Sequence, residues 1–175
     1  YYNSTTGQFK TVNTGGAPLG AWASGNAMPT AVAHTGSAGT PSSAFAAGGY
    51  NPPSNKNTNY LWNGTSWSDG NNINSARQVM GASGTATSGL IFGGRTSGSA
   101  GGGDTEEYNG ITYGIVGSLP TILQGGAGAG ASSSDSMTFG GATLNPPGSS
   151  QIMGNTYIWN CVPVRQGVHC FSKTI

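Results

Sequence analysis

The sequence predicts an all-β protein built from about three copies of one unit. A Gly-Gly pair ends a short strand-like run three times, at intervals of 45 and 47 residues; the pairs are Gly48-Gly49, Gly93-Gly94 and Gly140-Gly141. An aromatic series repeats alongside them, with Trp22, Trp67 and Tyr113 at intervals of 45 and 46 residues. A period of roughly 20–50 residues is typical of architectures in which one supersecondary unit recurs.

Composition favours strands and turns over helices and over disorder. Glycine accounts for 32 of 175 residues, and Gly, Pro, Asn or Ser interrupt every stretch long enough for a helix. Disordered chains typically combine high net charge with few aromatics. This chain instead has a net charge of +1 together with four Trp, seven Tyr and five Phe. It has no basic stripe and no long apolar stretch, so we expect neither nucleic-acid binding nor membrane insertion.

The period divides the chain into an imperfect partial copy and three units. Residues 1–21 are the partial copy, 22–66 and 67–112 are the first two units, and 113–175 is the third unit with a cysteine-containing extension. Each unit reads as aromatic, loop, small-residue strand, turn, Gly-Gly strand, loop and aromatic hairpin. Because the chain begins with Tyr1 rather than Met, we expect a processed form or a fragment of a longer repeat protein.

Two strands of each unit can be interpreted from their residues. In the small-residue strand, His34 aligns with Val79, so the repeat predicts a strand residue rather than a catalytic base. The following strand has a continuous apolar run in the second unit, Leu90-Ile91-Phe92, which is typical of a strand covered on both faces. The paired glycines after it are predicted to be structural, because they allow a sharp turn where units crowd.

The hairpin of each unit is predicted from an aromatic-Asn-Gly pattern. Asn63-Gly64 and Asn109-Gly110 match the strongest signal for a two-residue type I′ turn, which would pair Trp62 with Thr65. The third copy has Asn160-Cys161 instead. Packing between units is the first interpretation of the aromatic face that results. An exposed platform for sugar rings is the alternative, with candidate glycan contacts at Trp62, Trp67, Tyr108 and Trp159.

Few residues suggest covalent or metal chemistry. Cys161 and Cys170 are either a disulfide across a turn or two buried thiols, and His169 lacks the partners of a zinc site. Asp104, Glu106 and Glu107 supply the two carboxylates that a glycosidase needs, but the other units have no counterpart. The chain is therefore predicted to be non-enzymatic, with no metal and no cofactor.

The repeat resembles two kinds of protein. An apolar run ending in Gly-Gly, followed by an aromatic pair, resembles the kelch motif of β-propellers, although here the aromatics straddle an Asn-Gly turn. The segments TEEYNG (105–110), WNGTSW (62–67) and N-x-N-S-A-R (72–77) resemble repeats in virion structural and tail-fibre-like proteins of marine bacteriophages.

The phage resemblance implies a surface-displayed protein on the tail or capsid exterior. Its expected partners are other virion subunits and a host-surface glycan or receptor. Loops at 52–59, 96–103 and 145–150 differ between units and would serve for display. The alternative is a secreted or cell-surface bacterial β-propeller that binds glycans, located outside the cell.

Three units are too few to close a propeller. Propellers have about 4–8 blades, and closure is what removes exposed sheet edges. The predicted fold is therefore a set of kelch-like antiparallel blades within a larger array, or a partial propeller or trimeric β-fibre completed by other chains. A homo-oligomer, with a trimer among the candidates, is the expected assembly.

Overall fold

The chain forms strands and turns throughout the part that the structure covers. A computed structural model describes residues 2–3, 8–9, 22–97, 102–144, 150–164 and 167–174, with side-chain surroundings for 22–97, 102–143 and 151–159. These residues contain no helix. Their strands, in chain order, are β1 (Tyr2–Asn3), β2 (Gln8–Phe9), β3 (Gly36–Thr40), β4 (Ser43–Ala47), β5 (Tyr50–Asn51), β6 (Ser54–Asn55), β7 (Asn59–Trp62), β8 (Trp67–Gly70), β9 (Arg77–Gln78), β10 (Gly81–Thr85), β11 (Ser88–Phe92), β12 (Arg95–Thr96), β13 (Asp104–Tyr108), β14 (Tyr113–Ser118), β15 (Ala127–Ser132), β16 (Asp135–Phe139), β17 (Ala142–Leu144), β18 (Ser150–Ile152), β19 (Thr156–Val164) and β20 (Gly167–Thr174).

Three four-stranded antiparallel sheets form the main architecture, so the all-β prediction is confirmed, and four two-stranded sheets accompany them, β1-β2, β5-β6, β9-β12 and β17-β18. The strand orders of the four-stranded sheets are β3-β4-β7-β8, β10-β11-β13-β14 and β15-β16-β19-β20, and we call them the first, second and third sheets. We call the first strand of each order the inner strand and the last one the outer strand. The inner strands lie side by side, with β10 between β3 and β15. The three sheets do not close into a ring or a barrel.

The sheets take a different phase of the repeat from the sequence units. The outer strands β8 and β14 begin at Trp67 and Tyr113, the residues that open sequence units, but they pair back to β7 and β13. The first and second sheets thus take their outer strand from the unit that follows, whereas the third sheet takes β20 from the extension of its own unit. A period defines the length of a unit but leaves its boundary open.

Two faces of each sheet can be distinguished, because the side chains of a strand alternate. The trailing face points to the next sheet along the chain and carries Phe45 in the first sheet and Leu90 in the second. The leading face points to the preceding sheet and carries Gly89 in the second sheet and Ser136 in the third. A Cβ on Gly89 would lie 2.7 Å from the Phe45 ring, so a large side chain of one sheet seats on a small residue of the next.

The Gly-Gly pairs join neighbouring sheets. The first glycine of each pair has φ near 60°, 59° at Gly48 and 63° at Gly93, which glycine adopts without steric cost. The N–H of the second donates to a carbonyl in the entry segment of the next sheet, by which we mean the residues just before its inner strand. Gly49 donates to Arg77 at 2.8 Å, and Gly94 donates to Leu123 at 2.7 Å. These turns are therefore the backbone seams of the packed sheets.

The strand position predicted for His34 is wrong. His34 and its equivalent Val79 lie in bends before the inner strands, with φ of 58° and 59°, and Gly125 occupies the third copy with φ of 67°. The N–H of Val79 donates to the His34 carbonyl, and that of Gly125 to the Val79 carbonyl, each at 2.9 Å. A chain of hydrogen bonds across the three sheets holds these residues in a conformation that is rare for a β-branched side chain.

The two-residue turns are also wrong, because both hairpins have four-residue loops. Trp62 pairs with Trp67, rather than with Thr65, and Tyr108 pairs with Tyr113. The Asn63 side-chain oxygen accepts hydrogen bonds from the N–H groups of Thr65 and Ser66, at 3.0 and 2.9 Å. Asn109 repeats this pattern. The asparagine thus opens the loop through its side chain instead of occupying a left-handed turn position.

The third hairpin departs from the other two. β19 continues through Asn160-Cys161 to Val164, and β20 pairs back to it from Gly167 onward. A cysteine at the position of Gly64 or Gly110 would adopt a positive φ only at a steric cost, which accounts for the missing turn. In the resulting register Cys161 is directly opposite Cys170. Their side chains lie outside the described residues, so the disulfide stays a prediction.

Candidate functional site

A buried ion pair lies between the entry segment and β13 of the second sheet. Arg77 Nη2 donates to Glu106 Oε1 at 2.8 Å, and each side chain is 1% exposed. Arg77 Nη1 also donates to the Asp104 carbonyl at 2.9 Å. Burial lowers the pKa of the Arg77 guanidinium from its ordinary value, and the Glu106 carboxylate acts against that shift. Both charged side chains are therefore paired inside the fold and do not face a ligand.

Asn74 completes the coordination of the Glu106 carboxylate. Its backbone N–H and its side-chain amide donate to Glu106 Oε2 at 2.8 and 2.7 Å. The equivalent residues of the first and third sheets are uncharged and largely apolar sets, Pro29, Val32 and Tyr60, and Pro120, Leu123 and Tyr157. Proline has no N–H to donate, so the first and third sheets lack the backbone donor of Asn74 as well as the two charged residues. Comparing the copies position by position is the signal that could have found this network.

The three acids that the sequence grouped have separate structural roles. Glu106 is buried in the ion pair, whereas Asp104 is exposed and accepts from Ser118 Oγ at 3.4 Å. Glu107 points to the third sheet and accepts from Ser133 Oγ at 2.6 Å. Adjacent strand residues alternate between faces, so Glu106 and Glu107 do not present a pair of carboxylates to one substrate.

The aromatic candidates fall into two environments. Trp62 and Trp67 are half-buried, with ring centroids 5.3 Å apart, and Trp62 Nε1 donates to the Pro41 carbonyl at 2.8 Å. The equivalent rings of the second sheet, Tyr108 and Tyr113, are 4.7 Å apart but only 1% and 5% exposed. Tyr108 as a glycan contact is therefore wrong, since the first sheet covers it.

Trp159 is half-buried against the second sheet. A Cβ on Gly117 would lie 3.2 Å from its ring, and the same ring lines a small internal cavity with Leu90 and Phe92. The ring therefore packs between sheets along at least one edge. Of the four candidate glycan contacts, Trp62 and Trp67 form the pair that offers a shared aromatic surface.

A groove that sequence reasoning missed opens between the loops of the first and second sheets. It is lined on one side by Tyr50 and Asn55 and on the other by Gln78 and Arg95, with a volume of about 410 Å³. Asn55 Nδ2 donates to the Arg95 carbonyl at 3.1 Å, which ties the two sides together. His34 Nδ1 lies 3.0 Å from Gln78 Oε1 beside it.

The residues that line the groove follow the repeat in the sequence. Tyr50 and Arg95 each follow a Gly-Gly pair, and each pairs with a residue just before an inner strand, Ala33 and Gln78. The described starts of these loops, β5, β12 and β17, therefore lie beside the starts of the inner strands, at the end of the sheets that we call the loop rim. The 52–59 loop is described, whereas 98–101 and 145–149 fall outside the described residues.

Metal-ligating side chains are scattered in the described part of the chain. It contains no group of three or more His, Cys, Asp or Glu placed to hold a metal ion. None of the described segments forms a helix long and apolar enough to cross a membrane. The absence of a cofactor stays a prediction.

Comparison with known proteins shows a fold relationship. The sequence matches no protein-family model and no curated protein. Among solved structures, the chain is similar to one described as "Structure of YjhT", with a TM-score of 0.67 and 12% sequence identity. The similarity covers 97% of this chain and 50% of that chain, so this chain spans half its length. At this identity the likeness concerns the fold alone.

Proposed function

We propose that the chain is a non-enzymatic structural protein whose repeated sheets present variable loops for attachment, in the setting of a bacteriophage particle. The observation that carries the proposal is the division between sheets and loop rim. Charged and amide side chains within the sheets are used in packing, as with Arg77 and Glu106. The segments that differ between copies begin at the rim, beside the starts of the inner strands, and binding residues are commonly found in such loops.

The fold proposed for this function is a propeller-type array of blades. Four-stranded antiparallel sheets that pack inner strand beside inner strand are the units from which propellers are built. The hydrogen bonds that Gly125 donates to Val79 and Val79 donates to His34 support a radial arrangement, because equivalent residues are joined from sheet to sheet. The phage setting rests on the sequence resemblance of the hairpin segments.

Particle labelling and loop variants test this proposal. Antibodies against the purified chain should label the surface of the phage particle in electron micrographs. Substituting the rim groove with Tyr50→Ser and Asn55→Ala should reduce adsorption to the host several-fold, while circular dichroism stays unchanged. Ser68→Ala, on the exposed outer strand, is the matched control. Labelling confined to cells, with unlabelled particles, would contradict the proposal.

The half-exposed Trp62-Trp67 pair favours glycan binding by a secreted protein as the second candidate. Aromatic faces stack on sugar rings through apolar contact, and two rings with centroids 5.3 Å apart offer one continuous surface. A glycan array distinguishes the candidates. Binding that Trp67→Ala abolishes, and that the rim variants leave intact, would support the lectin.

A further inference from the structure

The contacts between neighbouring sheets follow one pattern, which the structure contains twice. Phe45 of the first sheet seats on Gly89 of the second, and Leu90, the equivalent of Phe45, lines one small cavity with Ser136 of the third sheet. Further out, Tyr113 donates to Asn59 at 3.3 Å, and Trp159 packs on Gly117. Each interface therefore combines a large trailing residue, a small leading residue and an aromatic residue toward the outer strands.

Within the described residues, the trailing face of the third sheet presents one half of this pattern without a partner. Phe139 is 42% exposed, whereas its equivalent Phe92 is 3% exposed. Met137, the equivalent of the buried Leu90, is half-buried and lines an open depression with Ile158. A Cβ on Gly140 would lie 3.9 Å from its nearest neighbour, compared with 2.3 Å at Gly93. A further sheet would fill each of these spaces.

The leading face of the first sheet presents the other half. Ala44 occupies the position of Gly89 and Ser136, the small residues on which the neighbouring side chain seats. Trp62 and Trp67 occupy the positions of Tyr108 and Tyr113, which the preceding sheet buries. The two faces that the described residues leave open are thus the two halves of the interface that the chain already uses.

We propose that two copies of this chain associate head to tail, with the trailing face of each third sheet packed on the leading face of the first sheet of the other copy. Met137 would seat over Ala44, and the N–H of Gly141 would donate to the carbonyl at the position of Val32, as Gly49 and Gly94 do to Arg77 and Leu123.

The number of copies follows from closure. Two copies bring six sheets, which lies within the range of about 4–8 blades that close into rings, whereas three copies bring nine. The proposal rests on the internal interfaces alone and does not depend on the virion role.

Light scattering coupled to gel filtration tests the association, using the full 175-residue chain. The expected mass is twice that of the chain at high concentration. Met137→Glu should reduce it to that of a single chain with circular dichroism unchanged, because Met137 is on an open face. The matched control is Ile152→Glu, at an apolar residue that is 92% exposed elsewhere, and it should leave the doubled mass.

A charge-complementation experiment tests the direction of packing. Ala44→Lys alone should also give single chains, and an equimolar mixture of Met137→Glu and Ala44→Lys proteins should restore the doubled mass. In that mixed pair one interface is unmodified, and in the other the introduced carboxylate faces the introduced ammonium group. A wild-type chain of single mass at all concentrations would overturn the proposal, and so would a mixture that stays single.

Discussion

Arg77 and Glu106 form a buried ion pair at positions where the other two sheets have uncharged residues. Removing one member of such a pair leaves a buried charge without compensation, which typically costs about 3–5 kcal/mol. Replacing the whole set by well-packed apolar residues is often neutral. The third sheet contains such a replacement, since Pro120, Leu123 and Tyr157 stand at the equivalent positions.

We therefore expect Arg77→Leu to lower the free energy of unfolding by about 3–5 kcal/mol. The triple variant Asn74→Pro, Arg77→Leu, Glu106→Tyr should recover most of that loss, because no charge is left buried. Urea unfolding of the three proteins measures both effects. A triple variant that is no more stable than Arg77→Leu would show that the ion pair is not the cause.

Tyr113 makes stability depend on alkaline pH. Burial raises the pKa of its phenol above the ordinary value, and the neighbouring Tyr108 and Glu106 act in the same direction. Above the unfolded pKa of about 10, the unfolded chain loses this proton while the folded chain keeps it. The contribution is thus fully present below about pH 10 and is lost as the pH rises beyond it.

The expected result is a free energy of unfolding that declines above about pH 10, with a shallower decline in Tyr113→Phe. At neutral pH this variant should be slightly less stable, because it loses the hydrogen bond to Asn59. Urea unfolding from about pH 8 to 11 measures both. Equal slopes for the two proteins would contradict the assignment to Tyr113.

At the scale of elements, the Gly-Gly turns are seams whose tightness depends on the next sheet. Gly93 and Gly140 have φ of 63° and 67°, so the left-handed conformation costs alanine about 1–2 kcal/mol at either position. At Gly93 the added Cβ would also lie 2.3 Å from the Leu123 carbonyl oxygen, which is closer than van der Waals contact allows. At Gly140 the corresponding space is open.

Gly93→Ala should therefore destabilise the chain by at least about 1 kcal/mol more than Gly140→Ala, at low protein concentration where copies are separate. Thermal unfolding of the two variants, compared with the wild type, measures the difference. Equal losses would mean that the conformation alone matters and that packing against Leu123 does not.

The hairpins illustrate how much of an element a sequence pattern predicts. The Asn-Gly pattern located both loops, but the register was wrong, because the Asn63 and Asn109 side chains hold four-residue loops. Because the loop has an even number of residues in both cases, Trp62 and Trp67 still share a face of the hairpin. The position of Tyr108 on the ribbon and packing between units were both predicted, whereas which copy of the face would be covered was not, because the covering side chains belong to another sheet.

At the scale of the whole molecule, a set of three sheets that does not close into a ring leaves two large sheet faces uncovered by the described residues. Association that occurs only in the folded state stabilises it by mass action. If two copies close a ring, each tenfold rise in concentration above the dissociation constant should add about 1.4 kcal/mol to the unfolding of the dimer. The midpoint of thermal unfolding should then rise with concentration.

Scanning calorimetry over a wide range of protein concentration measures this rise. Met137→Glu should give a midpoint that is independent of concentration, because its monomer unfolds alone. A wild-type midpoint that does not change with concentration, together with the mass of a single chain, would contradict dimer formation.

The sequence by itself determined the all-β class, the period and the location of the seams, because glycine pairs and aromatic residues recur at the spacing of one sheet. These features depend on local backbone conformation and alternation, which neighbouring residues encode. The tertiary structure decided which outer strand belongs to which sheet, that Glu106 is paired with Arg77, and that Tyr108 is buried while Trp62 is half-exposed. Each of those outcomes depends on residues distant in the chain or on the presence of an adjacent sheet, and no local pattern contains that information.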